Sequence, residues 1–155
     1  MPIKRINNKG IGLVEVILSL GIAVIVITSL VSLAVFTLRA SQQSRYLLEG
    51  SKLASEEIEL VRTLKDKSTS WSDFQSKISG CIGSGQRCHI NSTGTNTSNV
   101  HETIDGFMDR YFYVVPVVGS NDQIYTITAV VEWRFGAGAD KRTVIVSEVS
   151  NWRNR

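Results

Sequence analysis

The chain has 155 residues, 43% of them hydrophobic, and a formal net charge of +3, which supports one small domain with or without an anchor. Three of its 17 basic residues, Lys4, Arg5 and Lys9, precede a long apolar run, so the rest balances 17 − 3 = 14 basic against 14 acidic residues. That balance excludes a general basic surface for nucleic acid.

Residues 1–10 read as a short, polar, basic leader. Residues 11–38 contain no charge except Glu15, and a bilayer span needs about 20 apolar residues. Basic residues before a span stay on the cytoplasmic side, so the C-terminal part is expected to be exported. A carboxylate near the centre of a membrane helix costs about 2.5–3.5 kcal/mol on insertion scales. Glu15 therefore calls for a use.

Residues 39–66 are rich in helix formers. Leu47, Gly50, Ala54, Ile58 and Val61 share one stripe of the helical wheel, widened by Tyr46, Leu53, Leu60 and Leu64. Glu49, Lys52, Ser55, Glu56, Glu59 and Arg62 occupy the opposite face. The pattern predicts an amphipathic helix with one side turned to a core. Glu57 falls inside the apolar arc and Leu48 outside it, against the pattern. The whole stretch of about 11–66 reads as one helix, apolar all round in its first half and half-buried in its second.

From Lys67 to Asn99 the composition turns to Ser, Gly, Thr and Asn. Residues 71–79 suit a short helix, with Trp71, Phe74 and Ile78 as its apolar positions. Residues 79–99 read as loop. In an exported domain Cys81 and Cys88 are expected to form a disulfide that closes a short part of that loop. His89 and His101 read as loop residues; their spacing from the cysteines fits no zinc pattern, and no metal or other cofactor is expected. The last third reads as β-structure. Residues 111–118 form an apolar run, with Pro116 marking a strand end or edge. Residues 119–122 form a turn. Along 124–135, Tyr125, Ile127, Ala129, Val131, Trp133 and Phe135 alternate with mostly polar residues, as in a half-buried antiparallel strand. Residues 136–140 form a hairpin loop, and 142–149 return as the next strand. The predicted fold class is α+β: a long N-terminal helix on a small antiparallel sheet, with 67–155 supplying the loop region and the sheet. No nucleophile–base arrangement is legible from spacing, and Gly83-Ser84-Gly85 lies in a polar loop and not between a strand and a helix. An enzyme is not expected.

The junction Lys9-Gly10-Ile11-Gly12-Leu13-Val14-Glu15 resembles the class III signal of type IV prepilins, with a short basic leader, Gly at the cut and Glu fifth from the new N-terminus. The segment 52–66 followed by Trp71 resembles the amphipathic helix of minor pilins and secretion pseudopilins, and 131–153 looks like their C-terminal sheet. The resemblance implies cleavage between Gly10 and Ile11 by a prepilin peptidase, which also methylates the amine of Ile11. It implies partners: other pilin or pseudopilin subunits, an assembly platform and its ATPase. It implies residence in the inner membrane, then in a filament in the periplasm or on the cell surface. Glu15 would pair with the amine of a neighbouring subunit in that filament. Ile at the first mature position, Gly12 after it and a span without Pro favour a minor subunit over a major one. The alternatives are an uncleaved, single-pass anchored binding or adhesin domain, and a small secreted domain released after Ala34.

Overall fold

The computed structural model describes residues 9–95, 97–121, 123–134 and 140–151. The chain divides into two compact units, Met1–Gln43 and Ser44–Arg155. Helix α1 (Lys9–Lys67) runs for 59 residues, against an expected span of about 11–66. Within the first unit the described side chains from Gly12 to Gln43 are exposed. The hydroxyls of Ser19, Thr28, Ser29 and Thr37 bond to their own helix: Thr28 Oγ1 donates to Val24 O at 2.9 Å and Ser29 Oγ to Ile25 O at 2.8 Å. Such back-bonding satisfies a hydroxyl in surroundings with no water to accept from it. The β-branched stretch 24–32 is thus helical.

In the second unit, α1 buries Ala54, Ile58, Val61 and Leu64. Burying each larger apolar side chain contributes about 1.5–3 kcal/mol. Leu47 departs from the expected stripe and is exposed; Tyr46 takes the inward role, its ring set edge-on to Phe107 with centroids 5.4 Å apart. A Cβ placed on Gly50 would lie 2.9 Å from Trp133 Cζ3, so glycine lets the helix approach the sheet at that level.

Helix α2 (Trp71–Ile78) is capped by Ser70, whose hydroxyl accepts from the Asp73 N–H at 3.2 Å. It buries Phe74 and Ile78. Trp71 lies between Phe74 and Tyr125, with ring centroids 5.3 and 5.8 Å away. A 3-10 turn (Ser79–Cys81) follows.

The expected loop 79–99 holds more structure than its composition suggests. It contains the 3-10 turn, the disulfide and a short ribbon of β1 (His89–Ile90) against β2 (Thr97–Ser98). The remaining strands are β3 (Glu102–Ile104), β4 (Met108–Pro116), β5 (Ile124–Trp133) and β6 (Lys141–Ser150). They form an antiparallel sheet in the order β3-β4-β5-β6. β3 was not expected, and β4 starts three residues before Tyr111. Both differences have one cause: Asp105 and Gly106, with φ of 52° and 74°, turn the chain so that Ile104 pairs with Met108. Pro116 ends β4, where its missing N–H breaks no further rung.

Tyr125, Ile127, Ala129, Val131 and Trp133 all lie on the buried face of β5. Phe135 and the loop at 136–139 lie outside the described residues. Val130, on the opposite face, is also buried, because Tyr111 and Val144 flank it on the neighbouring strands.

Candidate functional site

The residues singled out at the N-terminus all fall on α1. Gly10 and Ile11 lie within its first turn, and Glu15 stands four residues after Ile11. Positions four apart share one helix face. A chain beginning at Ile11 would place Glu15 near the helix N-terminus, where unpaired N–H groups and the helix dipole favour a carboxylate. Glu15 is exposed, as are its apolar neighbours Leu13, Val14, Val16, Ile17 and Leu18. Within this helix an 18-residue window reaches a mean hydropathy of 2.7 with no residue buried. It is long and apolar enough to cross a membrane and is a candidate membrane anchor.

The disulfide is present. Cys81 and Cys88 are joined, seven residues apart in sequence, and both are fully buried. Their loop lies beside β4: Cys88 N donates to Phe112 O at 3.0 Å, and Phe112 N donates back to Cys88 O at 2.7 Å.

Sequence reasoning missed a buried ionic cluster in the second unit. Glu57 has no exposed surface. Its Oε1 accepts from Ile90 N at 3.0 Å, and its Oε2 lies 3.2 Å from Arg110 Nε. Arg110 also donates to Glu102 through Nε at 2.9 Å and through Nη2, and its Nη1 lies 3.4 Å from Glu56. His89 Nδ1 sits 3.8 Å from Glu57 Oε2 and 3.5 Å from Glu102 Oε2. His89 is thus a strand residue facing carboxylates. Burial, opposed by Arg110, pushes the Glu57 carboxyl up to about 7, and burial pushes the His89 imidazole down from its ordinary value. The cluster ties α1 to β1, β3 and β4. The signal available in the sequence was Glu57 itself, a carboxylate in an apolar arc, since buried charges are paired. His101 stays outside this cluster, with Nε2 3.6 Å from Asp109.

A second polar group lies on the sheet face turned away from α1. The Tyr111 hydroxyl donates to Glu132 at 2.7 Å. Arg87 lies 3.1 Å from Glu132 and stacks 4.6 Å above the Tyr111 ring. Burial and the Glu132 carboxylate push the Tyr111 phenol up to about 12. An open groove of about 380 Å³ beside it includes Arg87, Phe107, Asp109, Glu132, Arg134 and Asp140. Its charges face one another, with Arg134 2.7 Å from Asp140. These are ties between strands and loops, built to hold the sheet's end together.

Comparison with protein-family models, with characterised proteins and with solved structures finds no match to this chain, so its function is read from its own residues.

Proposed function

We propose that this chain is a structural subunit of a type IV pilus-like filament, a minor pilin or a pseudopilin. It is cut between Gly10 and Ile11 by a prepilin peptidase, methylated on Ile11, and drawn from the inner membrane by a platform protein and its ATPase. Its N-terminus lies inside and its sheet domain is exported, then carried in a filament in the periplasm or on the cell surface.

The observation that carries this reading is the form of α1. Its first stretch exposes apolar side chains all round and carries one carboxylate four residues after Ile11. The same helix then supplies Ala54, Ile58, Val61 and Leu64 to the core of the domain. An ordinary anchor has no need of Glu15. In a helical filament core the carboxylate meets the free amine of another subunit, and the low dielectric makes that pairing strong and an unpaired Glu15 expensive. The charge thereby selects register and favours the polymer over the isolated subunit.

The test is Glu15→Val. The variant is expected to insert in the membrane and to be missing from filaments sheared off the cell. A variant that enters sheared filaments as the native chain does would remove the role given to Glu15. Native chain found only in the membrane fraction would favour the uncleaved anchored domain.

A further inference from the structure

Strand β6 (Lys141–Ser150) ends the sheet, paired to β5 on one side and, among the described residues, to nothing on the other. An open edge of ten residues is a template for another strand. The chemistry of this edge states what fits it. Arg142-Thr143-Val144-Ile145-Val146-Ser147-Glu148 reads alike from either end: charge, hydroxyl, Val, Ile, Val, hydroxyl, opposite charge. Arg142, Val144, Val146 and Glu148 lie on the face away from α1, with Val144 and Val146 exposed at 44% and 59%. Thr143, Ile145 and Ser147 lie half-buried on the other face.

From this we infer that β6 pairs antiparallel with β6 of a second copy of this chain, about a twofold axis through Ile145. In that register Arg142 of each copy faces Glu148 of the other, Thr143 faces Ser147, and Val144 faces Val146. Every pair falls on a common face, as directly opposed residues in an antiparallel ladder do. The contact is self-complementary, as a twofold interface requires. Moving the register by two residues in either direction sets Arg142 against Val146 or Ser150 and removes both ion pairs, so the pattern selects one alignment. The axis stands normal to the sheet, so the helical segments 44–67 of the two copies run in opposite directions. The contact is one between the second units of the two copies. It stands on the sheet edge and does not depend on processing at Gly10.

The test uses the full chain in detergent, with its association measured by sedimentation equilibrium. The native chain is expected to show a monomer–dimer equilibrium. Arg142→Glu and Glu148→Arg each place like charges opposite one another twice per dimer and are expected to weaken association by about tenfold or more. The double variant carrying both is expected to dimerise like the native chain. An equimolar mixture of the two single variants is expected to form a mixed dimer, since positions 142 and 148 are then both carboxylates in one copy and both guanidiniums in the other. Unfolding midpoints of all variants check that the fold is kept. An Ile145→Cys variant, expected to cross-link to its own copy under mild oxidation, reads the same axis if a charge variant fails to fold. A native chain that stays monomeric at all accessible concentrations would overturn the inference. So would a dimer that both single variants leave unchanged, which would place the contact elsewhere, as between the anchors.

Discussion

Glu57 on α1 and Arg110 on β4 meet 3.2 Å apart, with 0% and 6% of their surfaces exposed. Both are charged groups held under the sheet, and their pairing fixes where the helix lies on it. Glu57 Oε2, His89 Nδ1 and Arg110 Nη1 are buried without an aligned hydrogen bond among the described residues, so the tie acts mainly through charge. Breaking one side of such a pair strands the other charge, whereas removing both does not. Arg110→Met is expected to destabilise the protein by about 3–5 kcal/mol at pH 8. Glu57→Leu combined with Arg110→Met is expected to fall within about 1 kcal/mol of the native chain or to exceed it. Denaturant unfolding followed by tryptophan fluorescence measures both; equal losses in the single and the double variant would contradict the pairing.

The same cluster sets a dependence on pH. Glu57 has its folded value raised from 4.5 to about 7, so its contribution to stability is full below 4.5 and is lost as pH rises through 7. His89 is lowered from 6.5, so its contribution is present above 6.5 and is lost as pH falls. As pH falls below 6.5 the two slopes oppose each other, so the native chain is expected to vary less there than a variant that keeps only one of them. His89→Gln removes one slope, and its unfolding midpoint should rise on acidification from pH 8 to 5. Glu57→Gln removes the other, and its midpoint should fall over the same range. Parallel pH curves in the two variants would show that neither group titrates as its surroundings imply.

Gly50 sets the distance between α1 and Trp133. In an ordinary helix interior, Ala in place of Gly gains about 1 kcal/mol. Here the added Cβ would lie 2.9 Å from the indole, and overpacking of a core costs about 1–3 kcal/mol. Gly50→Ala is expected to be neutral to destabilising, and Gly50→Val clearly destabilising, by thermal unfolding. Stabilisation by both would mean that the helix has room to move away.

The Cys81–Cys88 bond closes a short loop. A loop of that size is expected to contribute about 2–3 kcal/mol through the unfolded state. Replacing both cysteines by Ala should lower stability by that amount. Because both sulfurs are buried, a mild reductant should leave the bond intact until the domain unfolds. Rapid reduction in native buffer, followed by mass after alkylation, would contradict the packing of the loop on β4.

The fold was largely legible where one periodicity dominated. The alternation from Tyr125 to Trp133 and the wheel positions Ala54, Ile58 and Val61 gave the buried faces directly. Leu47 misled because a stripe says which face is inward but not where the partner surface begins, and Tyr46 meets Phe107 instead. β1 and β2 escaped because two-residue strands carry no period; they are set by the disulfide and by Ile90 donating to Glu57. The partners of Glu57 were hidden for a different reason. Glu102 and Arg110 come from strands 45 and 53 residues onward (102 − 57 and 110 − 57), and local patterning holds no information at that range.

The most direct measurement is the N-terminal residue and mass of the protein from its native host, with the prepilin peptidase gene intact and deleted. The expected result is a chain beginning at Ile11 with one added methyl group, lost in the deletion strain in favour of a longer chain that keeps its leader. A chain beginning at Met1 or at Val35 in both strains would contradict the filament reading and leave Glu15 as a charge near the end of an ordinary anchor or signal.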